Sequence, residues 1–278
     1  MATPCWPTII LRLSEVEDMV LDREKLNALY TRMNVRSYAS PDPIEVLYRY
    51  PDPIDQEVVG LVSASLAYGR VAHILNNVQK VADALGEHPA SRLMDSTPAQ
   101  LRKRLAGFQH RWTREEEMVA LLLGMRRVLR NHASLGACFL AGYRADDETI
   151  LPALATWTQA LLRADCPSLL ANPASGSACK RLLMYLRWMV RKDEIDLGLW
   201  TTVPAAKLLV PLDTHMFNIC RKLKLTQRKQ ANLKTAFEVS RGFARIAPDD
   251  PVRYDFALTR LGIRADESID DFFEARRG

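Results

Sequence analysis

Apolar residues return every three or four positions through most of this chain, and runs that alternate apolar with polar residues are scarce. That period turns one side of successive helices toward a core and leaves little for a sheet to pair. Leu26, Leu29, Tyr30 and Met33 share one side, behind a capping-box pattern of Ser14 with Glu17. Pro41, Pro43, Pro51 and Pro53 cut residues 35–53 into short elements joined by turns. The pattern then predicts helices over 54–66, closed by Tyr68-Gly69, and over about 71–85. Thr97-Pro98 reads as an N-cap followed by proline at the first helical position. Thr113 with Glu116 opens a helix to about Asn131, and 134–141 and 148–163 continue the pattern. After a loop over 164–176, helices are expected at about 178–192, 214–223, 233–246 and 252–261. The best strand candidate is Lys207-Leu-Leu-Val-Pro211, which its proline limits. The predicted fold class is all-α.

A chain of 278 residues can bury a sizeable core, as one unit of two lobes or as two small domains. Its charge is uneven. Gly176 to Arg245 holds 14 Lys/Arg against 5 Asp/Glu, a local charge of +9, so the rest sums to −4. A basic segment on a mildly acidic body fits a polyanion-facing surface, and it also fits a merely solvated face. Cys5, Cys138, Cys166, Cys179 and Cys220 are odd in number and form no CxxC pair, so neither a disulfide framework nor a zinc site is supported. Reduced thiols fit a cytoplasmic protein. The N-terminal stretch lacks a basic leader and does not read as a signal peptide, and no apolar run is long enough for a membrane span. Gly-rich phosphate loops, HExxH and GxSxG are absent. No cofactor or metal is expected.

Two segments carry chemistry. From Ser175 to Arg191 a small-residue loop opens into an amphipathic helix with Lys180 near its start. From Leu208 to Cys220 an apolar run ends at Pro211, and Asp213 starts a helix. An aspartate before a helix also serves as an N-cap, and a first-turn lysine is also an ordinary surface group. Both plain readings stand beside the catalytic one.

Val210-Pro-Leu-Asp213-Thr-His-Met resembles the aspartate motif of the helix-hairpin-helix (HhH-GPD) superfamily of DNA glycosylases. Cys179-Lys-Arg-Leu-Leu-Met-Tyr-Leu resembles the start of the helix that carries the catalytic lysine in its bifunctional members. Lys180 and Asp213 lie 33 positions apart, a spacing closer to the archaeal 8-oxoguanine glycosylase branch than to the common members. The usual Leu-Pro-Gly-x-Gly hairpin is missing; Gly176, four residues before Lys180, stands in its place. The four-cysteine cluster motif of some iron–sulfur glycosylases is also missing. Over nearly its full length the chain resembles a bacterial family related to these glycosylases, through Leu186-Arg-Trp-Met-Val-Arg-Lys192, Pro211-Leu-Asp-Thr-His215 and Tyr254-Asp-Phe-Ala257.

The resemblance implies a two-lobed helical fold with a cleft between lobes: 45–176 as the central lobe, and 1–44 with 177–278 as the second. It implies excision of a modified base, an oxidised purine such as 8-oxoguanine being the first expectation, from double-stranded DNA by a monomer in the cytoplasm or nucleoid. Lys180 would attack C1′ and form a Schiff base, and Asp213 would stabilise positive charge on the sugar. The alternatives are a monofunctional glycosylase, in which Asp213 activates water, and a nucleic-acid-binding module without chemistry.

Other residues are weaker candidates. Tyr68, His215 and Trp188 are candidates for the substrate pocket, although Trp188 and Tyr185 also fit a core. Arg70, Gly176, Arg181, Arg221, Lys222, Arg228 and Lys229 are candidates for nucleic-acid contact, with Lys224 in the same basic run. His110-Arg111-Trp112 sets a cation beside an aromatic, either to stack on a base or to pack between lobes. Asp55 and Glu57 read as capping groups, and Cys179 as a small buried residue.

Overall fold

The computed structural model describes residues 22–162 and 169–261. Ser14, Glu17, Cys5 and Cys166 lie outside the described residues. The chain is mostly helical, as expected. Helix α1 (Arg23–Met33) starts at Asp22, whose side chain accepts from Lys25 N, and buries Leu26, Leu29 and Met33. Two 3-10 turns, Arg36–Tyr38 and Pro43–Arg49, lead into α2 (Pro53–Leu66) and α3 (Val71–Leu85). Next come α4 (Pro89–Asp95), α5 (Pro98–Arg104), the two-residue strands β1 (Gln109–His110) and β2 (Thr113–Arg114), and α6 (Glu115–His132). Helices α7 (Leu135–Gly142) and α8 (Leu151–Leu161) precede α9 (Lys180–Val190), α10 (Thr214–Lys222), α11 (Leu233–Ala244) and α12 (Asp255–Leu261).

Helix α2 organises the core. Asp52 caps it through Ile54 N, and from Glu57 onward every residue is buried. It packs against α3, α4, α7 and α9. Gly60 lets α9 approach: a Cβ there would lie 3.0–3.2 Å from Leu47, Tyr185 and Met189. Beyond that contact Trp157 stacks on Tyr185 and Phe139 stacks on Trp200, with ring centroids 5.6 and 5.2 Å apart. Buried aromatics of this size supply much of the stabilisation of such a core.

Two local readings change. Thr113 does not cap α6. It pairs with His110 in an antiparallel hairpin, and α6 starts after Arg114, whose N–H donates to Glu117. The run Leu208 to Pro211 is extended and buried but joins no ladder among the described residues. Val210 N donates instead to Ser240 Oγ at 2.8 Å. Proline removes one ladder donor, so the segment crosses the core as a strap and delivers Asp213 at its end.

Candidate active site

The segments bearing Lys180 and Asp213 meet at one open cavity of about 680 Å³. Its wall draws on the turn Ala67-Tyr68-Gly69, the start of α9, the Pro211–Thr214 corner, and α12. Lys180 is the first residue of α9, after two residues in the left-handed region, Gly176 (φ 77) and Cys179 (φ 48). For cysteine that conformation carries a cost of order 1 kcal/mol. Burial offsets it here, for Cys179 is enclosed and its thiol is pushed up to about 11 by desolvation. It packs as a small apolar group.

Lys180 Nζ stands 3.9 Å from Asp213 Oδ2, with the two side chains 26% and 38% exposed. The other carboxylate oxygen, Oδ1, accepts from Met216 N at 2.7 Å. Asp213 is thus an N-cap of α10 and also a partner of Lys180. Capping fixes the carboxylate, and the second oxygen is left to face the cavity.

On α9, Met184 and Arg187 line the cavity with Lys180, as residues four and seven positions on must. Trp188, on the same helix, is not part of the lining. Its ring is 0% exposed in the core, so it leaves the pocket set. His215 sits on α10 outside the cavity lining; its Nε2 is buried with no partner among the described residues. Tyr68 lines the cavity. Its hydroxyl bonds the His110 carbonyl (3.0 Å) and Thr113 Oγ1 (2.6 Å).

The nucleic-acid candidates divide. Arg181 turns inward: Nη1 donates to the Ser65 carbonyl at 2.6 Å and the guanidinium lies over the Tyr68 ring, with burial pulling its pKa down. It is a wall residue rather than a surface cation. Arg228 is ion-paired with Glu238. Arg70, Arg221, Lys222, Lys224 and Lys229 are exposed. Gly176 is exposed too, with open space where a Cβ would stand.

Sequence reasoning missed the cavity floor. Asp255 and Arg260 on α12, with Asp42 and Arg187, line the cavity as two ion pairs, Arg187–Asp255 and Arg260–Asp42. Arg187 also binds Asp196, and Arg191 binds Asp193, Asp196 and Asp250. Four carboxylates therefore share two guanidiniums, Arg187 and Arg191. Desolvation pushes Asp196, Asp250 and Asp255 up, Asp255 to about 6, although Arg187 opposes it. The phrases around Arg187 and Asp255 were legible as motifs, but their pairing was not.

Glu57 and Asp55 do cap helices, but not their own. Glu57 accepts from Leu135 N and Gly136 N at the start of α7 and from Trp200 Nε1; Asp55 accepts from Ala90 N in α4. Trp112 is 60% exposed, so it is not a packing residue of the core. Among the described residues no three His, Cys, Asp or Glu side chains converge to hold a metal ion, and no helix is long and apolar enough to cross a membrane.

A family described as a protein of unknown function (DUF2400) matches the chain over residues 42–264. No curated protein and no solved structure matches it.

Proposed function

The chain belongs to the DUF2400 family, and from the resemblance of its Lys180 and Asp213 segments we propose that it is a DNA N-glycosylase with associated lyase activity on an HhH-GPD-like fold. The observation that carries the reading is the Lys180–Asp213 pair, 3.9 Å apart in the wall of a cavity of about 680 Å³. That volume lies within the usual range for small-molecule sites and suits one extruded nucleotide. The cavity draws Tyr68, Val71 and Ile74 from the segment 45–176, and Asp42, Lys180, Asp213 and Asp255 from the rest, which supports a cleft between two lobes.

In this reading the base is flipped from the duplex into the cavity. As the N-glycosidic bond lengthens, positive charge grows at the sugar C1′, and the Asp213 carboxylate, held by its cap, stabilises it. The Lys180 amine, having given up one proton, attacks C1′; the base departs with the bonding pair and takes a proton. The nitrogen loses a second proton, and the C1′–O4′ bond opens with its electron pair and a proton going to the ring oxygen, which gives a protonated Schiff base. Abstraction of a C2′ proton then expels the 3′ phosphate, and water releases the cleaved strand and restores the amine. An oxidised purine such as 8-oxoguanine is the first substrate to test, on resemblance. A monofunctional variant of this reading draws on the same pair: an ammonium ion-paired with Asp213 serves as a positioning group, with Asp213 activating water.

Borohydride trapping on duplexes bearing single modified bases tests the proposal. The expected result is a covalent adduct with wild type that vanishes in Lys180→Gln. Abasic sites without an adduct, dependent on Asp213, would replace it by the monofunctional reading. Intact binding with no base release across the panel would replace both by a binding module.

A further inference from the structure

The hairpin beside the cavity presents an aromatic ring to solvent, and the chain holds it there. The Trp112 side chain is 60% exposed. Burying such a ring would stabilise the fold, and here it is left in water. Flexibility is not the reason. The His110 ring is buried, 3.0 Å from the Tyr68 carbonyl and 3.1 Å from Asn77 Nδ2, and Thr113 is fully buried against the Tyr68 hydroxyl. Between these anchors Arg111 occupies the left-handed region (φ 55), where a glycine would sit without strain. The Arg111 guanidinium lies 4.8 Å from the centre of the Trp112 ring.

The exposed ring continues the cavity wall. Trp112 stacks on Tyr68, ring centroids 4.8 Å apart and planes 20° apart, and Tyr68 lines the cavity that holds Lys180 and Asp213. Arg111 is exposed beside it, and Arg70, after Tyr68-Gly69, and Arg114, on the same hairpin, are exposed too. Of the neighbouring acids, Glu115 accepts from Gly107 N and Glu117 from Arg114 N, leaving Glu116 exposed on α6. A lone aromatic among arginines is too small a patch for an apolar protein partner. It suits the π-face of a base, with phosphates met by the guanidiniums.

We propose that Trp112 is a stacking platform for the nucleobase next to the one held in the cavity, so that the protein engages more than one nucleotide of an unstacked strand rather than an isolated nucleoside. This rests on the nucleic-acid reading of the cavity. Catalysis remains with Lys180 and Asp213; Trp112 positions the strand.

The test is a duplex with the fluorescent base 2-aminopurine next to a stable abasic analogue, titrated with wild type, Trp112→Ala and Trp112→Phe. Wild type is expected to change the 2-aminopurine fluorescence on binding. Trp112→Ala is expected to weaken binding roughly 5- to 150-fold and lose that change, the range set by a base–aromatic stack. Trp112→Phe keeps most of both. Equal thermal unfolding of the Trp112 variants and wild type shows the loss to be one of contact. Trp112→Ala binding and signalling like wild type would overturn the platform and leave the glycosylase reading standing. Wild type binding no nucleic acid would overturn both.

Discussion

Asp213 uses its two carboxylate oxygens for different tasks: Oδ1 caps α10 through Met216 N at 2.7 Å, while Oδ2 stands 3.9 Å from Lys180 Nζ. The two tasks separate by substitution. Asparagine caps a helix about as well as aspartate but carries no charge, whereas alanine loses the cap at a cost of about 1 kcal/mol. Asp213→Asn is therefore expected to unfold within about 0.5 kcal/mol of wild type yet lose base release by roughly 100-fold or more. Asp213→Ala should lose both. Denaturant unfolding beside single-turnover base release reads the split. Full activity in Asp213→Asn would leave Asp213 a cap and nothing more.

A second prediction concerns a group with no part in the cavity. The Glu57 carboxylate is buried and accepts from Leu135 N, Gly136 N and Trp200 Nε1 at 2.6, 3.2 and 2.7 Å. Gly136 has no room for a Cβ, which would meet Trp200 at 2.4 Å. Glu57→Ala strands three buried donors, each costing about 1–3 kcal/mol. The expected loss is about 3–5 kcal/mol in urea unfolding, with Glu57→Gln losing less because it keeps an acceptor. A loss under about 1 kcal/mol would mean that water or another side chain takes over the three donors.

These two carboxylates mark what the sequence makes legible. Asp213 could be read because its cap and its motif are local: the buried strap, Pro211 and the following helix lie within ten residues. Helix α3 likewise came out at Val71–Leu85, bounded by the exposed Arg70 and by Gly86 at φ 78. Helix α4 was missed because its first turn is capped from α2, by Asp55 on Ala90 N. The capping reading of Glu57 was right in kind but lacked its target, which lies 78 residues away. The cavity floor failed for the same reason. Arg187 and Asp255 are 68 positions apart, and only packing of α9 near α12 makes them a pair. Trp112 was open to either reading because exposure belongs to the tertiary structure.

The buried charge cluster carries a pH signature. Desolvation raises Asp255 from its ordinary 3.8 to about 6, so the folded state holds this proton more tightly than the unfolded chain does. The group's contribution is then most favourable at low pH and is lost as pH rises from about 4 through 6. Asp255→Asn cannot ionise. The unfolding free energy of that variant relative to wild type should thus shift in its favour by about 1–3 kcal/mol between pH 4 and pH 7. Matched urea titrations at the two pH values measure it. A flat difference, or one moving the other way, would mean that Arg187 neutralises Asp255 fully.

The basic run after Asp213 predicts a graded salt response. Helix α10 begins at the cavity with Thr214 and ends at Lys222, about 12 Å away, so on the proposed reading its far end is within reach of a duplex flanking the site. Arg221 and Lys229 are exposed, while Arg228 is engaged by Glu238. Each contact with a phosphate releases a counterion, so losing one lowers the slope of log affinity against log salt by about 1. Arg221→Ala and Lys229→Ala are each expected to do this for duplexes of any sequence, and Arg228→Ala to do so less. The same variants should leave trapping at saturating DNA unchanged, because they touch neither Lys180 nor Asp213. Affinities measured from about 50 to 200 mM salt decide it. Slopes equal to wild type would place the duplex on another face, and the exposed arginines around Trp112 would be the next to examine.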